Sequence, residues 1–201
     1  MHIQVHRLLP RTRMAGVGVR FCIWVQGCSR HCPGCMAVDT WPPDGGFPLD
    51  TEELFSRIRG TSAIEGITFL GGEPFEQAEA LAQLACKVQA AGLSVTTFTG
   101  FSYEGLKTGA DPATTRLLAA TDLLIDGSYQ EGLFDLSRPW VGSANQRYHF
   151  LTKRYRPSDI EGIPNQIEIR ISPDGTAFLN GMGNFAKIKA LLAGRNGGIY
   201  L

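Results

Sequence analysis

The chain has 201 residues, 43% of them hydrophobic and 19% charged, with 19 basic side chains against 19 acidic ones. This length supports one domain with a real core, and this balance excludes a disordered chain and a basic, phosphate-tracking nucleic-acid binder. No apolar run is long enough to span a bilayer, and Met1 to Arg7 lacks the apolar core of a signal peptide, so a cytoplasmic location without a membrane partner is expected. Five cysteines, three of them clustered, argue against a disulfide framework and suit a reducing compartment.

Ile3 to Leu9 reads as a short strand, and Pro10 to Val19 as a glycine-punctuated loop. Val19 to Val25, an apolar run rich in β-branched and aromatic residues, reads as a strand that leads directly into the cysteines. After the Pro/Gly-rich connection Met36 to Pro48, Asp50 to Arg59 has a helical pattern. Asp50 stands as its N-cap, with Glu53 three residues on as in a capping box. Gly66 to Leu70 is the next strand, Glu76 to Ala91 an Ala/Leu-rich helix stopped by Gly92, and Leu93 to Thr99 a strand. Asp111-Pro112 opens a further helix that ends near Ala120, before the strand Leu123 to Asp126. Such alternation implies a parallel sheet with crossover helices, either doubly wound or an incomplete barrel. Toward the end, Gln166 to Ile171 alternates polar with apolar, and Ser172-Pro173-Asp174-Gly175 is turn chemistry before Thr176 to Leu179, so a β-hairpin is expected. Asn184 to Ala193 reads as a final helix ended by Gly194.

The chemistry centres on Cys28, Cys32 and Cys35, which lie on one loop after a strand, where α/β folds place their ligands. Three thiolates leave one position open on a zinc ion or a cubane iron–sulfur cluster, each of which usually takes four ligands. Two plainer readings compete. His31 as fourth ligand would make a structural Cys3His zinc site, although its place beside Cys32 would strain the loop. Cys32-Pro33-Gly34-Cys35 would serve as a redox dithiol, which leaves Cys28 unexplained. Cys22, inside a strand, and Cys86, inside a helix, read as buried apolar residues and not as ligands. No nucleophile elbow, dinucleotide fingerprint or phosphate loop occurs, and His2, His6 and His149 form no catalytic constellation.

Arg20-Phe21-Cys22-Ile23-Trp24-Val25-Gln26-Gly27-Cys28, Gly71-Gly72-Glu73-Pro74 and Thr97-Phe98-Thr99-Gly100-Phe101 occur in that order. Asp122 to Gly127 and Gly142 to Arg147 follow. In these segments the chain resembles the radical S-adenosylmethionine (SAM) superfamily, and within it the activating enzymes of glycyl radical enzymes, the anaerobic ribonucleotide reductase activators above all. The resemblance covers roughly the first three quarters of the chain, and the cysteine loop together with Gly-Gly-Glu-Pro is specific. It implies a partial TIM-like barrel of the (β/α)6 type, to which the C-terminal hairpin and helix read from the residues are added. Residues 1–201 would form one domain, with a core over about 1–152 and an extension over about 153–201.

The resemblance further implies that Cys28, Cys32 and Cys35 hold a [4Fe–4S] cluster. By the same resemblance SAM would be met by Gly71, Gly72, Glu73 and Pro74 and by Asp126; strand-end placement alone adds Thr97 and Thr99, whose hydroxyls would face SAM. The reaction would cleave SAM reductively to methionine and a 5′-deoxyadenosyl radical. That radical would take hydrogen from a glycine of a partner glycyl radical enzyme, with a flavodoxin or ferredoxin as electron donor. Glu73 alone would read as a solvated loop carboxylate, Thr97 and Thr99 as strand filling, and Asp126 as a structural buried acid. His31 is expected to shield the cluster loop, while Asn145-Gln146-Arg147 matches the activators without an assigned role. Two departures stand out: Ser128 replaces a basic residue found in some relatives, and the tail is longer than in the compact activators. The rival readings are a radical SAM enzyme acting on a small molecule or peptide, and a non-catalytic zinc or iron–sulfur module.

Overall fold

The computed structural model describes residues 1–109, 111–183 and 188, and the backbone of 199–200. Seven strands form one sheet: β1 (His2–Thr12), β2 (Arg20–Val25), β3 (Phe47–Asp50), β4 (Gly66–Gly71), β5 (Ser94–Phe98), β6 (Leu123–Asp126) and β7 (Arg147–Phe150). Their order is β3-β1-β2-β4-β5-β6-β7. β2, β4, β5 and β6 are parallel, whereas β1, β3 and β7 join antiparallel. The helices α1 (Thr51–Gly60), α2 (Ala78–Ala90), α3 (Tyr103–Thr108) and α4 (Pro112–Ala119) lie in the crossovers. The expected α/β architecture is met, with its parallel part four strands wide. The flanking strands enter antiparallel, and an antiparallel neighbour needs no helical crossover. No helix among the described residues is long and apolar enough to cross a membrane.

Side-chain alternation divides the sheet cleanly. Phe21, Ile23 and Val25 of β2, Ile67 and Phe69 of β4, Val95 of β5 and Leu124 of β6 join Leu54, Ile58, Leu81, Leu84 and Leu117 from the helices in the main core. The other face carries Cys22 and Trp24 of β2, which pack with Ala15, and Leu123 and Ile125 of β6, which pack with Trp140 and Val141. Helix starts follow their caps: Asp50 accepts from the amides of Glu52 (2.8 Å) and Glu53 (3.4 Å), and Asp111 from that of Thr114 (2.8 Å). The Glu53 side chain pairs with Arg57 at 2.6 Å. The short strand β3 and the helix α3 are among the elements that go beyond the sequence reading. One expectation is corrected: Cys22 is buried, but Cys86 is exposed. It follows Leu84 and Ala85 on α2, and at about 100° per residue the next position turns off the buried stripe.

The expected hairpin forms from β8 (Ile167–Ile171) and β9 (Ala177–Gly181), with Ile171 opposite Ala177 and Ile167 opposite Gly181. Asp174 accepts from the amide of Thr176 (2.9 Å), and Gly175 takes a φ of +85° in the turn. A two-residue strand, β10 (Ile199–Tyr200), pairs parallel with β9. The hairpin is fastened to the end of β1: the Thr12 hydroxyl donates to Glu168 Oε2 (2.6 Å) and accepts from Asn180 Nδ2 (3.0 Å), and Arg170 donates to the Arg11 carbonyl. The expected helix Asn184 to Ala193 and its stop at Gly194 lie outside the described residues, Ile188 excepted.

Arg20 is fully buried on the face away from the helices. Its guanidinium donates to Thr68 Oγ1 (3.2 Å), Ser94 Oγ (2.6 Å), Tyr155 Oη (3.1 Å) and the carbonyl of Ile67. One side chain thereby joins β2, β4, β5 and the segment after β7. Burial lowers its pKa, and hydroxyls and carbonyls take up its donors. An apolar replacement strands those acceptors. Arg20→Met should lower unfolding free energy by about 3 kcal/mol or more in a denaturant titration. A loss within experimental error would contradict this role.

Candidate active site

The carboxyl ends of β2, β4, β5 and β6 lie along one edge of the sheet, and the loops that leave them wall a cavity of about 610 Å³. Cys28, Cys32 and Cys35 come from the first loop, Gly71, Gly72 and Glu73 from the second, Phe98, Thr99 and Gly100 from the third, and Gly127 and Tyr129 from the fourth. This is the ligand crevice that parallel sheets offer.

The cysteine loop is pinned at both ends. Gly27 donates to the Thr40 carbonyl (2.8 Å) and Cys28 to that of Trp41 (3.2 Å). The Gln26 amide bridges Pro42 O (2.7 Å) and His6 Nδ1 (2.8 Å). Glu76 accepts from Ser29 N (3.0 Å), and Gln77 Nε2 donates to Gln26 O (2.9 Å). The three thiols are half-buried. Burial pushes the Cys28 thiol up, while the amides of Arg30 and His31 donate to its sulfur. Ala37 N donates to Cys35 Sγ (3.4 Å). His31, at a φ of +42°, stacks on Trp41 with ring centroids 4.7 Å apart and does not line the cavity. Neither the shielding role nor the Cys3His zinc reading is served by that placement. Among the described residues no three His, Cys, Asp or Glu side chains gather as a single-ion site. A zinc ion draws its sulfurs to about 2.3 Å, whereas a cubane takes each thiolate on a different iron. Three thiols on one cavity wall, with backbone N–H groups aimed at sulfur, fit the cluster.

Gly72 packs directly against this loop. Its amide donates to Val25 O and the Glu73 amide to Gly27 O, both at 2.8 Å. A Cβ on Gly72 would collide with the Gly27 carbonyl, so only glycine fits there. Glu73 is 1% exposed. Its Oε1 accepts from Thr99 Oγ1 (2.8 Å) and Phe75 N (3.0 Å), and its Oε2 from Gly100 N (2.8 Å). The carboxylate thus ties the β4 loop to the β5 loop. Burial raises its pKa to about 7 against the pull of those donors. Pro74 is buried in the first turn of a short 3-10 helix, Pro74–Gln77, behind the cavity wall.

Two expected SAM contacts stand elsewhere. Thr97 shares the helix-facing side of β5 with Val95, and its hydroxyl meets Thr121 Oγ1 at 2.9 Å. Thr99 lies past the strand end and reaches the cavity. Asp126 lies on the Leu124 side of β6, fully buried, and accepts from Tyr103 N (2.7 Å) and Arg147 Nε (3.1 Å), with His149 Nε2 at 3.1 Å. Burial acts to raise its pKa, but the bonds from Arg147 and Tyr103 prevail and hold it below the usual carboxylate range. Arg147 also binds Glu104 (2.7 Å), whose pKa falls to about 2. The segment without an assigned role gains one. Asn145 Nδ2 donates to Ser128 O (2.8 Å) and Gln146 Nε2 to Gly127 O (3.2 Å), so it clamps the loop after β6. Gln26, Glu76 and Gln77 were missed; their signal was position, immediately beside the cysteine and Gly-Gly-Glu-Pro motifs.

Residues 14–149 match the family described as a 4Fe-4S single cluster domain. The chain belongs to that family, and its cofactors are a [4Fe–4S] cluster and SAM, as in the radical SAM enzymes it resembles. It is 27% identical over 154 residues to the anaerobic ribonucleoside-triphosphate reductase-activating protein of Escherichia coli K12, covering 73% of this chain and 97% of that one. The protein of the same name from Vibrio cholerae is 28% identical, with 73% and 97% covered. The pyruvate formate-lyase-activating enzyme of Listeria monocytogenes is 29% identical over 98 residues, covering 46% of this chain and 40% of that one. QueE from Escherichia coli superposes over 50% of this chain and 53% of that one, at 20% identity and a TM-score of 0.42.

Glu73 makes stability depend on pH. Its folded pKa lies above the unfolded value of 4.5, so the folded state keeps the proton longer. That contribution is fully present below pH 4.5 and is lost as pH rises to about 7. At about 1.4 kcal/mol per unit it amounts to about 3 kcal/mol. Wild type minus Glu73→Gln stability, measured by denaturant melts, should therefore fall between these pH values. A difference independent of pH would show that Glu73 is ionised throughout.

Proposed function

We propose that this protein is an activating enzyme that generates a glycyl radical on a partner enzyme. The single observation that carries the reading is that the cysteine loop and the Gly71-Gly72-Glu73 loop wall one cavity at adjacent strand ends. The names of the relatives and the near-complete span over which they match support it. In this reading Cys28, Cys32 and Cys35 hold the cluster and leave one iron free for SAM. When bound, the reduced cluster and SAM supply methionine and a 5′-deoxyadenosyl radical.

The chain's own residues position and enclose. Gly71 and Gly72 would hold the SAM ammonium through backbone acceptors, and Glu73 would supply negative charge beside them. A cation there favours the carboxylate over the protonated acid, so binding draws the Glu73 proton off. Thr99 keeps the carboxylate oriented through its 2.8 Å bond. Thr97 and Asp126 act through the fold: the first anchors β5 to Thr121, just after α4, and the second sets the end of β6. Trp24, Phe98 and Trp140 add apolar surface to the cavity and restrict water near a radical. The electron comes from an external flavodoxin or ferredoxin. A second reading, hydrogen abstraction from a small molecule, draws on the presence of C-terminal hairpin residues in the cavity wall.

Anaerobic reconstitution should give a brown protein with about four irons per chain. Serine at Cys28, Cys32 or Cys35 should abolish the cluster, whereas Cys22→Ser and Cys86→Ser should keep it. With reductant, SAM and a co-purifying glycyl radical enzyme, electron paramagnetic resonance should show a glycyl doublet, with deuterium moving from that glycine into 5′-deoxyadenosine. Fast, stoichiometric transfer from a small molecule alone would reject the activating role.

A further inference from the structure

The C-terminal hairpin does more than extend the domain. Leu179, Asn180, Gly181, Met182 and Gly183 stand on the wall of the cavity that Cys28 and Glu73 also line. This wall lies wholly outside the matched family segment 14–149. The bonds of Asn180 and Glu168 to Thr12 hold it in place. Its backbone is fixed as well: Met182 N donates to Gln166 O (3.0 Å), and Gly181 takes a φ of +115° where a Cβ would collide with that same carbonyl. Met182 is therefore presented by a constrained turn.

The charges around the cavity are engaged by the protein itself. His6 Nε2 lies 3.2 Å from Asp39 Oδ2, the Arg7 guanidinium 4.1 Å over the Trp24 ring, and that of Arg30 4.9 Å over Phe101. Glu73 is satisfied by its three donors. Trp24, Leu70, Phe98, Trp140, Leu179 and Met182 add apolar surface. A charged group brought against Leu179 and Met182 would lose its water and meet apolar side chains in return.

We infer that the segment Leu179–Gly183 forms the substrate-side wall of the active site and that Met182 is a specificity-determining residue that selects an uncharged, apolar-flanked hydrogen donor. The inference rests on the activating-enzyme reading and deepens it: the glycine to be attacked enters on a neutral segment that packs against Met182, and charged flanks are rejected.

The test uses the full reconstituted chain loaded with SAM, as wild type, Met182→Leu and Met182→Glu. The probes are acetyl-Ala-Val-Gly-Phe-Ala-amide and acetyl-Ala-Glu-Gly-Glu-Ala-amide, each with dideuterated glycine. Before reduction, the neutral peptide should slow amide exchange over residues 178–183 in wild type and Met182→Leu, and the charged peptide should not. After reduction, deuterium transfer to 5′-deoxyadenosine should fall by about tenfold or more in Met182→Glu, as expected for a lost apolar contact. Iron content should stay as in wild type, which shows that the variant folds and holds its cluster. Equal protection by the charged peptide, absence of protection by the neutral one, or unchanged transfer in Met182→Glu would overturn the assignment while SAM cleavage persists. Absence of SAM cleavage in wild type under any reductant would instead remove the activating reading, and this inference with it.

Discussion

A carboxylate shut away from water holds this site together. Glu73 sits at the tip of β4 and takes hydrogen bonds from Thr99 and Gly100 at the tip of β5, and from Phe75 in its own loop. Burying a carboxylate without partners costs several kcal/mol, so the loops on both sides are constrained to supply donors. The neighbouring Gly72 is pressed against Gly27, one residue before Cys28. Cluster loop, glycine loop and the loop after β5 are thereby coupled through contacts a few ångströms long. A pKa raised to about 7 shows that even three donors do not repay desolvation in full. A cation in the cavity would complete the compensation, and SAM carries an ammonium and a sulfonium.

The sheet explains why these loops meet at all. Four parallel strands in adjacent register bring four carboxyl ends to one edge. The helices cover one face with the apolar core, which leaves the other face to Arg20, Thr68, Trp24 and the cavity. Arg20 braces that face from within. The hairpin then adds its own wall by fastening to Thr12 at the end of β1.

Much of this was legible in the sequence, for reasons that can be named. The strands β2, β4, β5 and β6 announce themselves as β-branched runs ending at glycine or acidic loop residues, and the cysteine spacing identifies the loop. Side-chain facing was less legible. Thr97 and Asp126 sit at or near strand ends as expected, but a period of two sends both toward the helices, and only the register of β5 and β6 reveals it. Cys86 follows the same lesson on a helix, one step off the buried stripe. β3 hides in a Pro/Gly-rich stretch because its pairing with β1 is long-range. The clamp of Asn145 and Gln146 on Ser128 and Gly127 also joins segments far apart in sequence, so local pattern carried no trace of it.

The central claim is that Cys28, Cys32 and Cys35 carry a cubane with one iron left open beside Glu73. Mössbauer spectroscopy on anaerobically reconstituted, iron-57-enriched protein tests it most directly. The account predicts four irons per chain, with the signal of one iron separating from the other three when SAM is added. A single bound metal ion per chain, or four irons whose signals ignore SAM, would contradict it.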